Sequence, residues 1–442
     1  MIVEEARYQR AFEEAVATRR DLHRHPELGL TEFRTAAIVA TRLRELGLEV
    51  RLGREVMDEA SRVGVPSAAE LRAAYERALA EGADPALLRA FEGGFTGVVG
   101  TLRGAQAGPV VALRVDMDAL PIREDASTGH PPAREGFVSA HDGIMHACGH
   151  DTHVAMGLGV AEVLAAARSR IHGSVKLIFQ PAEEGGRGAV PMVRAGVVDD
   201  VDCFVAIHVG SDGESGTLYP VVTGHLASSK LDVRFRGRAA HAGGRPEEGR
   251  NALLAAAQAT LGLYAISRHH AGRSRVNVGV LRAGSGRNVI PDEAFCMLEV
   301  RGDSEEIADY MLHRAEAVIR GAAAAAEVEV EIETMGRTTT ADSDSALAEA
   351  IAHAAAGVPS VRVDLRPHQA PGSEDATYFM RRVQERGGLA AYMVVGSGTG
   401  GGHHTRTFDI DESTFKGAIT VLCEAILSLG AAPPEAGRRR AN

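Results

Sequence analysis

The stretch His146-Ala-Cys-Gly-His-Asp-Thr-His153 decides how the rest of the chain is interpreted. It places three histidines, a thiol and a carboxylate within eight residues. Gly149 allows a tight backbone path between Cys148 and His150, and a helical apolar pattern follows over residues 154–168. So many possible metal ligands within eight residues predict a loop that leads into a helix, with metal ligands on the loop and on the first helical turn. The alternative is a pair of helix-start histidines beside a buried cysteine.

The composition is that of a soluble globular protein. The 442 residues are 45% hydrophobic and 24% charged, with a net charge of −11. This balance argues against a nucleic-acid partner, which needs a basic stripe. We found no apolar run of membrane-spanning length and no signal-peptide pattern, so we expect a cytoplasmic protein without a membrane partner. Three of the four cysteines, Cys203, Cys296 and Cys423, lie in apolar patterns and are expected to be buried thiols.

The order of the expected elements predicts two kinds of domain. Strands alternate with helices in both outer parts of the chain, which indicates an α/β fold with a mixed sheet covered by helices. The middle follows a β-α-β-β-α-β order, typical of a ferredoxin-like α+β unit. We expect a catalytic domain at residues 1–222 with a helical insertion at 55–92, an inserted domain at 223–337, and a second catalytic part at 338–442. The tail from about 431 is expected to be disordered.

Carboxylate and imidazole side chains follow several apolar strands. Asp116 and Asp118 share one face, and one of them could orient a ligating histidine. Glu183 and Glu184 come just after a strand, so one could bind a cation while the other reaches the water that the cation activates. His208 ends another strand. Ligands of such sheets bind at the carboxyl ends of the strands, which favours one shared site over an acidic loop and a core histidine.

Three loops complete the candidate site. The glycine-rich segment 396–402 ends in His403 and His404 and could bring one histidine to the metal; the alternative is a mobile linker. In the inserted domain, small-residue loops hold His241 and Asn288. Either these are ordinary loops or they contact a substrate carbonyl or carboxylate.

Taken together, these motifs resemble the cocatalytic-metal amidohydrolases, the family of carboxypeptidase G, hippurate hydrolase and the indole-acetyl amino acid hydrolases. The resemblance covers nearly the whole chain. Within the family, the chain is similar to the aminobenzoyl-glutamate hydrolase subgroup, whose helical insertion matches residues 55–92. The family motifs are Arg114–Pro121, Met145–Asp151, Gln180–Gly185, Ala206–His208, Gly237–Gly243, Asn288–Pro291 and His404, and the subgroup motifs are Leu52–Glu59, Ala90–Gly97, Ala189–Asp200 and Pro371–Ala376.

The resemblance implies two divalent metal ions, manganese or zinc, with a general base beside them. Cys148 would bridge the ions as a thiolate, where many relatives have an aspartate. His404 is assigned in preference to His403 because Phe408 then keeps the family's spacing to an aromatic residue. The metal ligands implied are Cys148, His150, Glu184, His208 and His404; the catalytic residues are Glu183 as base, Asp116 and His241; and the residues that hold the substrate are Asn288 and Arg301.

The function implied is metal-dependent hydrolysis of the amide bond of an N-acyl or N-aroyl amino acid, with p-aminobenzoyl-glutamate the best match. A dipeptidase or a general N-acyl-amino-acid amidohydrolase is the first alternative. The second is a subunit that needs a homologous partner for activity. The inserted domain would serve as a lid or for dimerisation, in a homodimer or a heterodimer with a homologous second subunit, and His241 would reach across that dimer.

The identity of the metal stays open at this stage. A thiolate ligand favours zinc, whereas manganese prefers oxygen ligands. We also expect the thiolate of Cys148 to be exposed, and therefore oxidisable when the metal is absent.

Overall fold

Two units, each with its own sheet, make up the part of the chain that the computed structural model describes, residues 3–210, 213–370, 372–398 and 400–434. The first unit comprises Met1–Thr223, Ala341–Gln369 and Asp375–Asn442, and the second comprises Gly224–Thr340 and Ala370–Glu374. Most of the tail that the sequence predicts to be disordered, residues 435–442 with their three arginines, lies outside the described residues.

Helices and strands alternate through most of the first unit. Its helices are α1 (Glu5–Arg24), α2 (Phe33–Glu45), α3 (Ala68–Ala80), α4 (Pro85–Ala90), α5 (Pro131–Glu135), α6 (His150–Ala166), α7 (Ala189–Arg194), α10 (Ser345–Ala355), α11 (Ala376–Glu385) and α12 (Thr414–Ala431). Its strands are β1 (Glu49–Leu52), β2 (Val98–Arg103), β3 (Gln106–Asp116), β4 (His172–Gln180), β5 (Cys203–Gly210), β6 (Thr217–Tyr219), β7 (Val222–Thr223), β12 (Arg362–Val363), β13 (His368–Gln369) and β14 (Leu389–Gly396).

Within the described residues, the large sheet has eight strands in the order β1-β2-β4-β3-β5-β14-β6-β12. The neighbours β4, β3, β5 and β14 run parallel, whereas β1 and β2 pair antiparallel at one side. The central strands are buried over most of their length, as strands covered on both faces must be. This confirms the expected mixed α/β sheet and brings four strand ends to one edge.

The second unit has the ferredoxin-like order that the sequence predicts. Its four antiparallel strands lie in the order β11-β8-β10-β9, and two helices lie between them in the chain. The residues of β10 alternate between buried and less buried positions, as expected where one face packs on a core. The elements are β8 (Ala227–Arg236), α8 (Ala252–Tyr264), β9 (Ser274–Ala283), β10 (Glu293–Gly302), α9 (Glu305–Ala325) and β11 (Glu329–Thr338).

Helix α12 is long and apolar enough to cross a membrane by length and composition. However, 83% of it is buried inside the protein, so it is a core helix. The three cysteines expected to be buried are buried.

Some local features differ from what the residue types suggest. Threonine is a typical N-cap residue, but the Thr31 hydroxyl donates to the Leu28 carbonyl and α2 begins two residues later. The short strands β6, β7, β12 and β13 were not predicted, because two or three residues show no periodicity that a sequence pattern can reveal.

Candidate metal centre

The carboxyl ends of four adjacent parallel strands position the candidate site. Asp116 ends β3 and Gln180 ends β4, and these two residues are partners across the ladder. His208 lies two residues before the end of β5, beside Val394 of β14. Helix α6 begins at His150, directly after Gly149, whose φ of 89° is in the left-handed region. A Cβ on Gly149 would lie 2.4 Å from a methyl carbon of Val209, so only glycine fits this close approach.

The implied ligands converge at this edge. The Cys148 sulfur lies 3.4 Å from His208 Nε2 and 3.6 Å from His403 Nδ1. His404 Nε2 lies 3.2 Å from Glu184 Oε1, and His150 Nε2 lies 3.9 Å from Glu183 Oε2. Among the described residues, the groups whose ligand atoms lie within 4.8 Å of one another include Cys148, His150 and His208; Cys148, Glu184 and His404; and His150, Glu183 and Glu184.

One residue of β5 fixes the proton positions of two histidines. The Val209 carbonyl accepts a hydrogen bond from His208 Nδ1, which leaves His208 Nε2 without a proton and facing Cys148. The Val209 N–H donates to His153 Nε2 at 2.8 Å, and His153 Nδ1 donates to Asp116. His208 Nε2 is thereby free of a proton and available as a ligand. Both ring nitrogens of His153 instead form hydrogen bonds to the ends of β3 and β5.

Asp118 holds the loop that carries the two glutamates. Its two carboxylate oxygens accept the backbone N–H groups of Glu183 and Glu184 at 2.9 and 3.0 Å. Asp118 Oδ1 also lies 3.3 Å from His150 Nδ1, closer than the 3.8 Å that separates that nitrogen from Asp116. The resemblance implied a catalytic role for Asp116; in the structure, Asp118 bonds the backbone of the expected base Glu183 and lies nearer than Asp116 to the expected ligand His150.

We expect Asp118→Asn to weaken metal binding by roughly 10- to 100-fold, because a supporting carboxylate is lost and an amide has only one oxygen to accept the two N–H groups. Competition of the metal-free protein with a chromophoric chelator measures this affinity. Asp142→Asn is the matched control, since Asp142 is exposed and pairs with Arg123. Equal affinity in both variants would show that Asp118 does not support the site.

Cys148 is buried, with only 9% of its surface exposed, and this corrects the expectation of an exposed thiolate. Burial, together with the nearby carboxylates Glu184 and Glu183, raises the pKa of the Cys148 thiol well above its ordinary value. The metal-free site therefore holds a protected, protonated thiol that resists oxidation. The charge of a bound metal ion would reverse this preference, because a coordinating thiol loses its proton.

Sequence reasoning missed a buried network behind the site. Arg114 donates to Gln180, Asp116 and Asp375, and Asp375 also accepts from Gln180. The signal for Asp375 was its place in the motif Pro371–Ala376, whose first residue lies outside the described part of the chain.

A second residue that was missed is Glu32, whose carboxylate accepts from the Ala182 N–H and from the Thr96 hydroxyl. Burial, with Asp118 nearby, raises the pKa of Glu32 to about 8. Nothing in the sequence indicated this role, because Glu32 stands where a helix begins.

In the second unit, the structure brings His241 and Asn288 together and places Arg301 elsewhere. The Ala242 N–H donates to the Asn288 carbonyl, and His241 bridges to Val289. Arg301 lies near the other end of β10, where its guanidinium bonds the Glu299 carboxylate at 3.0 and 3.1 Å. Glu293, where β10 begins, and Arg301 are eight residues apart, about 26 Å along a strand.

Comparison with known proteins identifies the family. The family model for peptidase family M20/M25/M40 matches residues 112–428. The chain is 50% identical over 411 residues to indole-3-acetyl-aspartic acid hydrolase of Enterobacter agglomerans, and 49% identical over 411 residues to one subunit of the p-aminobenzoyl-glutamate hydrolase of Escherichia coli; each match covers 93% of this chain and 94% of the relative.

Solved structures agree with these relatives. An aminobenzoyl-glutamate utilization protein from Klebsiella pneumoniae is 46% identical, with a TM-score of 0.81 and coverage of 95% of this chain and 96% of that one. A dinuclear metal-binding M20 peptidase of Bacillus subtilis is 26% identical, with a TM-score of 0.65 and coverage of 97% and 99%. The expected enzyme class, a metallo-amidohydrolase, is confirmed. The chain belongs to peptidase family M20/M25/M40.

Proposed function

We propose that this protein cleaves the amide bond between an aromatic acyl group and an acidic amino acid, with p-aminobenzoyl-glutamate as its substrate. The observation that carries the proposal is the convergence of Cys148, His208, Glu184 and His404 beside Glu183 at one sheet edge. The names of the two relatives described above add the substrate class. One names an indole-acetyl aspartate and the other an aminobenzoyl glutamate, so both pair an aromatic acyl group with an acidic amino acid.

The residues present fit two divalent ions, manganese or zinc. Cys148 belongs to two candidate groups, one with His150 and His208 and the other with Glu184 and His404, as a bridging ligand must. His208 presents an unprotonated nitrogen to the sulfur. When bound, such ions supply Lewis acidity toward an amide carbonyl and toward water. Three imidazoles, a thiolate and a carboxylate suit zinc, whereas manganese would use the oxygen ligands preferentially.

In this proposal, Glu183 moves the proton. Its carboxylate is 12% exposed and lies 3.9 Å from His150, so it reaches the space that the ligands enclose. The hydrogen bond from its N–H to Asp118 fixes the backbone of Glu183. This holds Glu183 Oε2 where it can take a proton from the attacking water and pass it to the leaving nitrogen. Glu184, whose N–H also bonds Asp118, acts as a ligand.

His241 is suited to stabilise the oxyanion. Its Nδ1 accepts hydrogen bonds from the N–H groups of Gly243 and Gly244 at 3.1 and 3.0 Å, so in the neutral ring the proton is on Nε2. This exposed N–H is a donor of the kind that stabilises developing negative charge on a carbonyl oxygen. Asn288, in the adjoining loop, would contact the substrate with it.

The separation along β10 supports a dimer. Arg301, which we propose to hold the substrate carboxylate, lies about 26 Å along the strand from the end that carries Asn288. That span is far longer than one acyl amino acid, so the two ends of one copy cannot hold the same substrate. We therefore propose that His241 and Asn288 act on the substrate of a partner chain, in a homodimer or with a homologous second chain.

A substrate panel tests the proposed function. We expect kcat/KM for p-aminobenzoyl-glutamate and indole-3-acetyl-aspartate to exceed that for hippurate and for simple dipeptides by about 10-fold or more, because the latter lack the second carboxylate, that of an acidic side chain, and lose any contact made to it. The chain is assayed alone, with manganese or with zinc. Equal rates across the panel would instead support a general N-acyl-amino-acid hydrolase, and dependence on a homologous chain would identify a partner.

A further inference from the structure

A second group of metal-competent side chains lies in the first unit, outside the candidate metal centre. It consists of His25, Glu81 and His141, whose ligand atoms all lie within 4.8 Å of one another. His25 follows the end of α1, Glu81 follows the end of α3 in the helical insertion, and His141 lies five residues before His146. Three distant segments of the chain therefore meet at one point.

The hydrogen bonds of His141 leave two acceptor atoms facing each other in this cluster. His141 Nδ1 lies 2.7 Å from the Pro26 carbonyl, which can only accept, so this nitrogen carries a proton. In the neutral ring, Nε2 is then a bare acceptor, yet it faces Glu81 Oε1 at 2.6 Å. Two acceptors this close repel each other. Either a proton or a metal ion must lie between them.

A proton on His141 would satisfy only part of the cluster. His25 Nδ1 and Glu81 Oε2 are buried atoms that have no hydrogen-bond partner among the described residues. His25 Nδ1 lies 3.6 Å from Glu81 Oε1. Ligand atoms about 2.0 Å from a tetrahedral zinc ion are about 3.3 Å apart, so this spacing suits zinc, and a small rotation of Glu81 would open its contact with His141.

Other groups around the cluster also favour a bound cation. The Pro26 carbonyl orients His141 in the way that groups behind metal-ligating histidines do. The Ser139 hydroxyl accepts the His141 N–H and fixes its backbone. Glu81 caps the carboxyl end of α3, where the helix dipole favours positive charge. The nearby Arg34 does not neutralise Glu81 by direct contact, because its guanidinium forms two 2.9 Å bonds with Asp21.

We propose that His25, Glu81 and His141 form a second metal site, suited to zinc, that fastens the helical insertion to the segment leading into the candidate metal centre. Two imidazoles and a carboxylate, with water as the fourth ligand, match the ligands that zinc accepts. Glu81 also lines a cavity of about 520 Å³ together with Glu14, Glu45 and Glu162. The site would be structural, because a metal here binds the folded chain and stabilises it.

Zinc stoichiometry tests the proposal. The metal-free chain is titrated with zinc alone against a chromophoric chelator, and equivalents per chain are compared between the parent, Glu81→Gln and His25→Asn. Glu76→Gln is the matched control, since Glu76 is an exposed residue of the same helix α3. We expect both cluster variants to bind one equivalent fewer than the parent and the control, and to lose the rise in melting temperature that this ion gives.

Because the readout is a difference of one equivalent, it does not depend on how many ions the candidate metal centre holds. Unchanged stoichiometry in both variants would overturn the proposal and leave a charged hydrogen bond between His141 and Glu81. Should a variant fail to fold by circular dichroism, anomalous diffraction at the zinc edge from parent crystals decides. A peak between the three side chains supports the site, and its absence refutes it.

Discussion

Replacing Glu183 with glutamine is expected to lower kcat by roughly 10²- to 10⁴-fold, the usual contribution of a general base. Metal content should stay at the parent value, because Glu183 is the proposed base and Glu184 beside it is the proposed ligand. The amide keeps the size of the side chain. The hydrogen bonds to Asp118 are unaffected, since they use only the main-chain N–H groups of Glu183 and Glu184. Single-turnover kinetics and metal analysis of the same sample give both quantities.

Glu184→Gln is the matched partner for this experiment. It should lose metal affinity as well as turnover, since its carboxylate lies 3.2 Å from His404 in the ligand group. Glu214→Gln controls for the loss of a negative charge, because Glu214 is exposed and its ion pair with Arg362 lies at the surface. Near-normal turnover of the Glu183 variant would exclude it as the base, and loss of metal from that variant would reverse the two assignments.

The second large effect is expected on stability. Arg19 is 1% exposed and bonds three carboxylates, those of Asp151, Asp409 and Glu412, at 2.7 to 3.1 Å. Arg19→Ala leaves these acids without their common cation, and breaking a buried ion pair costs about 3–5 kcal/mol. Asp151 directly follows the expected ligand His150, so metal affinity should fall together with the free energy of unfolding.

Denaturant unfolding of the metal-free protein measures this effect apart from metal binding. Arg10→Ala is the control on the same helix, because the Arg10 side chain is 70% exposed and its pairs with Glu14 and Glu162 should contribute little. A loss below about 1 kcal/mol for the Arg19 variant, the size expected of a surface pair, would mean that the three acids find other partners or take up protons.

Much of the architecture could be predicted because it depends on local patterns. The alternation of strands and helices predicts the mixed sheet, and polar residues after apolar strands predict the edge where Asp116, Glu183 and His208 meet. The inserted ferredoxin-like unit follows from its order of elements. In each case the signal lies within one segment, and general rules of chain packing supply the rest.

The supporting interactions could not be predicted, because they join distant segments. Asp375 reaches Arg114 across 261 positions in the sequence, and Glu32 reaches Ala182 across 150. The division of roles between Asp116 and Asp118 was also hidden, since both residues share one face of an extended segment and only three-dimensional distances separate them. The burial of Cys148 likewise depends on the packing around it and not on its neighbours in the chain.

Val209 has a consequence for how the protein tolerates variation. Its main-chain oxygen and nitrogen set the protonation of two separate imidazole rings, yet its own side chain takes no part. Exchanging that side chain for another aliphatic one of similar size should therefore leave both rings correctly protonated. Proline at the same position would delete the donor and release His153, so this position should accept aliphatic residues of similar size and reject the imino acid.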